Sequence, residues 1–354
     1  MNRPWPVTLA VVVACAAGAA ASAADALKVG EIVAEPGRRA SGYLVVPDGV
    51  DTGTRIPVSV LAGPRPGPVL ALIAGTHGYE YTSIVALQRL RERVDPAALT
   101  GSLILVHMAN PTTFYGRRIY FSLDGKNLNR VYPGRADGTI SQRIAHAITS
   151  EVIARATHVV DMHCGDGNES LRPYSYWQVT GDRALDEAGK RLALAFGLDH
   201  IVIDRERPSD PERTLYTSNT AVRRGKPAIT VESGGMGLTD EASVGAQEAG
   251  ALSVMAELGM LAAASVKVEH PLWIDKAQVL TSPATGVWAA AVEKMQSVAA
   301  GTLIGRVRDP FGNLLHEVRA PFAGEVLYVV ATPPVSEGEP LAFVGQVSEG
   351  EPKP

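Results

Sequence analysis

Two histidines and a glutamate carry the first chemistry that can be read from the chain. Gly75-Thr76-His77-Gly78-Tyr79-Glu80 sets an imidazole and a carboxylate three residues apart, and Asp161-Met162-His163 puts a second imidazole at the end of another apolar run. An imidazole and a carboxylate at this spacing can converge on one cation where a loop enters a helix. Two His and one Glu, with one position left for water, is the ligand composition of catalytic zinc sites. H-x-x-E alone is common, and a single His after a buried strand is more often a hydrogen-bonded structural residue. The pairing carries the argument: each motif closes an apolar strand, and Gly75 and Gly78 let the first loop turn tightly. His77, Glu80 and His163 are therefore the candidate metal ligands. With two cysteines, the chain cannot build a Cys-rich structural zinc site. Asp161 reads as an orienting partner for a ligand or as a plain strand-end carboxylate. Cys164 reads as a packing residue. The other six histidines lack acidic or Cys partners at useful spacing.

Two further groups could act beside such a metal. A polar stretch runs through Arg117-Arg118 and Asp124-Gly125-Lys126-Asn127-Leu128-Asn129-Arg130. Arg grips carboxylates bidentately and an adjacent Asn adds an amide donor, so Asn129 and Arg130, with an upstream Arg, can hold an anionic substrate end. Alone, Arg117-Arg118 would be a solvated basic loop. The length of the polar loop shifts the reading toward function. Glu232 closes the apolar run Ala228-Ile229-Thr230-Val231 before Ser233-Gly234-Gly235. There it can serve as a general base for metal-activated water, or cap the turn. No Lys-Ser/Thr follows these glycines, which excludes a P-loop, and no G-x-S-x-G is present to supply a serine nucleophile.

The elements that must position these groups alternate. Buried-strand runs occur at 69–74, 102–107, 157–162, 201–203 and 228–231, and helical spacing at 83–94, 139–154, 185–196 and 239–261. That order predicts an α/β fold, a mainly parallel mixed sheet flanked by helices. In such sheets ligands sit at the carboxyl ends of strands, where the polar motifs fall. Near residue 265 the pattern changes to short β-rich pieces. Ser282-Pro283-Ala284-Thr285-Gly286-Val287 resembles Ala320-Pro321-Phe322-Ala323-Gly324-Glu325-Val326, which predicts a smaller all-β sandwich or barrel module. Lys294-Met295 reverses the order of a cofactor-bearing lysine motif and lacks its acidic hairpin, so it is read as part of that accessory module.

The chain has 354 residues, with 33 Lys+Arg against 37 Asp+Glu. That near-neutral balance argues against nucleic acid as a partner, and two cysteines argue against a disulfide scaffold. Arg3, an apolar run of ~14 residues from Val7 to Ala20, and Ala21-Ser22-Ala23 read as a secretory signal too short to span a membrane. Cys15 makes only a loose lipoprotein box, because the apolar run continues past it. The expected organisation is a signal peptide (1–23), a catalytic domain (24–265) and a C-terminal β-rich accessory domain (266–354). The expected location is the periplasm or outside the cell, with no membrane span in the mature chain.

Taken in order, Gly-Thr-His77-Gly-Tyr-Glu80, Asp-Gly-Lys-Asn-Leu-Asn129-Arg130-Val-Tyr-Pro-Gly, Asp-Met-His163 and Thr-Val-Glu232-Ser-Gly-Gly resemble the succinylglutamate desuccinylase/aspartoacylase family, relatives of the carboxypeptidase A-type zinc carboxypeptidases. The resemblance extends over about residues 55–350 and implies a zinc carboxypeptidase-like fold with a β-rich C-terminal module. It implies one Zn2+ on His77, Glu80 and His163, and Glu232 as the group that activates water. It further implies that Asn129 and Arg130 hold a substrate carboxylate, and that an upstream Arg, Arg118 or else Arg117, steadies the scissile carbonyl. The Arg-to-Asn spacing is longer than in aspartoacylase itself, which leaves the aspartate preference open. The implied activity is hydrolysis of an amide bond in an N-acyl amino acid or similar carboxylate-bearing small molecule. The alternative is a periplasmic zinc carboxypeptidase or amidase acting on peptides or cell-wall peptides. A non-catalytic binding protein on the same fold is disfavoured, since every candidate catalytic position is filled.

Overall fold

Leu70, Ala71, Leu72, Ile73 and Ala74 are all fully buried, and they alternate between two cores. Leu70, Leu72 and Ala74 pack with one cluster, and Ala71 and Ile73 with the other. A strand that feeds both sides must lie in the middle of a sheet with both faces covered. At roughly 2 kcal/mol for each fully buried Leu or Ile, this short run alone is a strong determinant of the fold. The computed structural model describes residues 24–351 except position 121. The expected signal peptide, with Cys15, lies outside the described residues.

The principal elements are β1 (Arg38–Val46), β2 (Thr54–Ala62), β3 (Arg65–Ala74), α1 (Tyr81–Arg93), β4 (Thr100–Val106), α2 (Ile140–Ile148), β5 (His158–His163), β6 (Tyr174–Gln178), α3 (Arg183–Phe196), β7 (His200–Asp204), β8 (Ala228–Glu232), α4 (Glu241–Glu257), β9 (Leu272–Thr281), β10 (Gly324–Val330) and β11 (Pro340–Ser348). Along the sheet they run β10-β11-β9-β7-β6-β8-β5-β3-β4-β2-β1. The β3/β4, β3/β5, β5/β8, β6/β7 and β7/β9 pairs are parallel. β1/β2, β2/β4 and β6/β8 are antiparallel. The sheet is mixed and mainly parallel in this part, as expected. Helices α1, α3 and α4 contribute Leu87, Leu192 and Val254 to one core, and α2 contributes Ile144 and Ile148 to the other. The helix expected over 139–154 ends at Ile148 and continues as a wider π-type turn over Thr149–Ile153. There Ser150 Oγ donates to the His146 carbonyl at 2.8 Å, a back-bond that competes with the helical ladder.

The C-terminal module is all β. Its four-stranded antiparallel sheet joins Leu314–Arg319, Leu303–Arg308, Gly286–Ala290 and Pro334–Val335, and its core holds Trp288, Ile304, Val326 and Leu341. The repeat read in the sequence has a structural counterpart, because Gly286 and Gly324 each open a strand. Strand β9 joins the two parts: Leu272–Ile274 pair with β7, and the strand then pairs with β11. An ion cluster around buried Arg172 adds to the seam. Arg172 donates to Glu325 at 2.7 Å and Asp199 at 2.9 Å, and meets His200 Nε2 at 2.6 Å. His200, featureless by sequence spacing, thus gains acidic partners through the fold. Lys294 donates to the Leu171 carbonyl at 3.0 Å. No helix among the described residues is long and apolar enough to cross a membrane.

Candidate metal centre

The ends of three strands build the site. His77 and Glu80 lie in the loop between β3 and α1. His163 is the last residue of β5, and Glu232, the last of β8, is its partner in the parallel ladder. The first loop can turn only as glycine permits. Gly75 has φ +67°, and a Cβ on Gly78 would sit 2.1 Å from the Arg118 carbonyl and 2.5 Å from that of Thr113. This close approach lets the Gly78 N–H donate to Ile119 O at 3.1 Å, which ties the ligand loop to the Arg117–Tyr120 segment.

His77 Nδ1 lies 2.8 Å and His163 Nδ1 2.6 Å from the same atom, Glu80 Oε1. One ligand atom from each of the three residues falls within 4.8 Å of the others, and all three residues are buried. The far nitrogens have their own partners. His77 Nε2 meets Asn127 Oδ1 at 3.2 Å, and His163 Nε2 lies 3.2 Å from Asp161 Oδ1. A proton on each Nε2 faces these acceptors, although Asp161 Oδ1 makes no hydrogen bond of good geometry, and leaves both Nδ1 lone pairs facing a carboxylate oxygen. Three electron-rich atoms then face one point, an arrangement that fits a cation. The electrostatics agree. Burial opposes charge on His77 and His163, yet Glu80, with Asp166 for the first ring and Asp161 for the second, raises both imidazoles above their ordinary value. Burial also opposes charge on Glu80, but His163 and His77 hold its carboxyl down at about 2. Zinc accepts this donor set of two imidazoles and a carboxylate. Cys164 is buried, its thiol pushed up by that burial, and it is not one of the converging groups.

Glu232 is half-buried. Burial raises its carboxyl well above the usual range despite the pull of His163. Asn129 is buried, with Oδ1 accepting from Thr217 N at 3.0 Å and Thr217 Oγ1 at 3.2 Å. Its Nδ2 lies 3.4 Å from His163 Nε2. If that nitrogen keeps its proton, both groups are donors, and the amide remains available to another acceptor. Arg130 meets a different set of neighbours. It is exposed, donates to the Asn129 carbonyl at 2.7 Å, and lies 4.7 Å from the centre of the Tyr216 ring. The two residues of the expected clamp therefore part, Asn129 inward and Arg130 toward a cavity of about 660 Å3. Arg207 shares that cavity, stacked 3.7 Å from the same Tyr216 ring and paired with Asp204. Arg118 lines a different cavity of about 610 Å3 with Tyr120 and Asn168, walled by Thr285, Val330 and Pro334 of the β module. Arg117, at φ +51°, ends the short helix Pro111–Gly116 and is exposed.

Several site residues escaped the sequence reading. Asn127 lies inside a polar motif that does not single it out, and Asp166 and Glu169 follow His163 by three and six residues without a motif to mark them. Glu169 accepts from Tyr120 Oη at 3.3 Å, and Tyr120 meets His77 edge-on with ring centres 5.5 Å apart. Arg207 and Tyr216 sit in an irregular loop without periodicity. Position after a strand end was the available signal for Asp166 and Glu169.

A profile of the succinylglutamate desuccinylase/aspartoacylase catalytic domain matches residues 66–258. The N-alpha-acetyl-L-2,4-diaminobutyric acid deacetylase of Halomonas elongata is 29% identical over 320 residues, which cover 87% of this chain and 92% of the relative. Among solved structures, a succinylglutamate desuccinylase from Silicibacter sp. superposes with TM-score 0.76 at 26% identity, covering 88% of this chain and 95% of that one. The product-bound ectoine utilization protein of Ruegeria pomeroyi also superposes with TM-score 0.76, at 27% identity, covering 87% and 95%.

Proposed function

The chain belongs to the succinylglutamate desuccinylase/aspartoacylase family, and on that premise we propose that it is a zinc-dependent deacylase that cleaves the amide bond of an N-acyl amino acid. The coarser part is plain: it is an enzyme that hydrolyses N-acyl amino acid amides, the activity its relatives are named for. The finer reading assigns zinc to His77, Glu80 and His163. Its main support is the meeting of both Nδ1 atoms at Glu80 Oε1 with Glu232 in register beside His163.

Bound there, zinc supplies a Lewis acid and a water of lowered pKa. Glu232 takes a proton from the attacking water and passes it to the leaving amine nitrogen as the C–N bond breaks, so one residue acts first as base and then as acid. Burial raises its pKa, which favours the protonated form that the second step needs. Asn127 and Asp161 keep the two rings turned with Nδ1 inward. Arg130 at the cavity mouth binds the substrate carboxylate, and the Asn129 amide offers a further donor. Arg118, or Arg117 beside it, steadies the developing negative charge on the scissile oxygen. The Arg3-led apolar leader supports export, so we place the reaction in the periplasm or outside the cell.

A panel of N-acyl amino acids assayed beside C-terminal dipeptides tests this. The deacylase reading expects kcat/KM at least about tenfold higher on the acyl amino acids, a difference of ~1.4 kcal/mol in the barrier. Preference for the dipeptides would instead select the carboxypeptidase alternative. Cell fractionation that finds the chain in the cytoplasm would overturn the export reading.

A further inference from the structure

Asp166 is a buried carboxylate with no role in the reading above. It lies three residues after His163, in the loop that leaves β5, and is 4% exposed. Its main chain is pinned on several sides. Asp166 N donates to Glu169 Oε2 at 3.2 Å, and its carbonyl accepts from Glu169 N at 3.1 Å and Met236 N at 3.0 Å. Next to it, Gly165 N donates to Gly234 O at 2.9 Å. The loop after His163 thus interlocks with the loop after Glu232, and Asp166 is held at the crossing.

The side chain is less well satisfied than the backbone. Oδ1 is buried with no hydrogen-bond partner among the described residues. It lies 3.9 Å from His77 Nδ1, the atom that faces Glu80. With the His77 proton placed on Nε2, opposite Asn127, Nδ1 has none to give to Asp166. In that tautomer two atoms bearing lone pairs lie 3.9 Å apart, and Oδ1 is shielded from solvent. Native structures rarely leave such a group unmatched. Asp166 Oδ1 stands outside the group of His77, Glu80 and His163 atoms that fall within 4.8 Å of one another, and a positive charge held by that group is what both atoms lack.

We propose that Asp166 is a fourth protein donor to the cation held by His77, Glu80 and His163. The inference rests on the metal reading of those three residues. Together with Glu80 it supplies two negative charges, which balance a divalent ion inside a buried pocket where an unbalanced charge is costly. Glu169 takes a supporting part: its Oε2 holds the Asp166 main chain and its Oε1 is engaged by Tyr120.

Zinc affinity, measured by competition with a chromophoric chelator, tests this on the full chain without reference to turnover. Wild type, Asp166→Asn and His163→Ala are compared, with circular dichroism of each as a check on folding. Wild type should bind one zinc per chain. Asp166→Asn should keep the one-to-one stoichiometry with an affinity about 10–100-fold weaker, the scale seen when groups that support a metal site are removed, and His163→Ala should lose more. Wild-type-like affinity in Asp166→Asn, within about twofold, would overturn the proposal while leaving the three-ligand reading intact. Zinc-free wild type after loading would overturn the three-ligand reading and the proposal with it. Should Asp166→Asn misfold, Asp166→Ala serves: it removes both oxygens, so unchanged affinity there also contradicts the assignment.

Discussion

The two ends of the candidate site differ in almost every physical respect. At the metal end, His77, Glu80, Asp161, His163, Asp166 and Glu169 are buried, and each sits in a strand, at a strand end or in the loop that follows. At the far end, exposed Arg130 and half-buried Arg207 flank the Tyr216 ring in an open cavity. One end is crowded with carboxylates that raise the pKa of both imidazoles. The other sets Arg130, Arg205 and Arg207 among Asp204, Glu206 and Asp275, so its charges are mixed. Burial makes the first end a place for chemistry, where charge interactions are strong. Solvent makes the second a place for recognition, where each contact is worth less. The contrast suits a substrate that offers a neutral amide to the metal end and a carboxylate to the mouth.

Substitutions can break that contrast, beginning where the effect should be largest. Glu232→Gln should lower kcat by on the order of 10^2 to 10^4 with zinc content unchanged; near-wild-type turnover would remove it from proton transfer. Asn127→Ala and Asp161→Ala each loosen one ring nitrogen and should weaken zinc binding by about 10–100-fold. Affinity that stays put in both would mean the rings need no outer support. Arg130→Ala should raise KM about tenfold for substrates with a free carboxylate while kcat holds. The same rise for an analogue whose carboxylate is amidated would show that Arg130 does not read that group. Arg207→Ala should have the smallest effect, a rise in KM of roughly two- to fivefold, because Asp204 already offsets much of its charge. A larger change there than at Arg130 would reverse their assigned ranks.

The same contrast explains what could be read in advance. Continuous apolar runs such as Leu70–Ala74 and Val159–Val160 declare buried strands, and a polar residue that closes such a run is visible at once. His77, His163 and Glu232 were legible for this reason, and the family resemblance, on the same motifs, fitted them together. β6 was missed because Tyr174-Ser175-Tyr176-Trp177-Gln178 is neither a plain apolar run nor a clear alternation, and the antiparallel β1–β2 pair was overlooked. The mutual placement of Asp166, Met236 and Gly234 depends on two loops that cross far apart in sequence. The parting of Asn129 from Arg130 depends on the bonds between Asn129 Oδ1 and Thr217. Neither arrangement has a periodic signature, and no single segment contains it.

The central claim, a cation bound through two imidazoles and carboxylate oxygen, can be tested most directly by zinc K-edge X-ray absorption on the loaded protein. The account predicts a first shell of nitrogen and oxygen only, with the outer-shell scattering of two imidazole rings and no sulfur. A sulfur at bonding distance, which would bring in Cys164, or scattering from fewer than two imidazoles would contradict it.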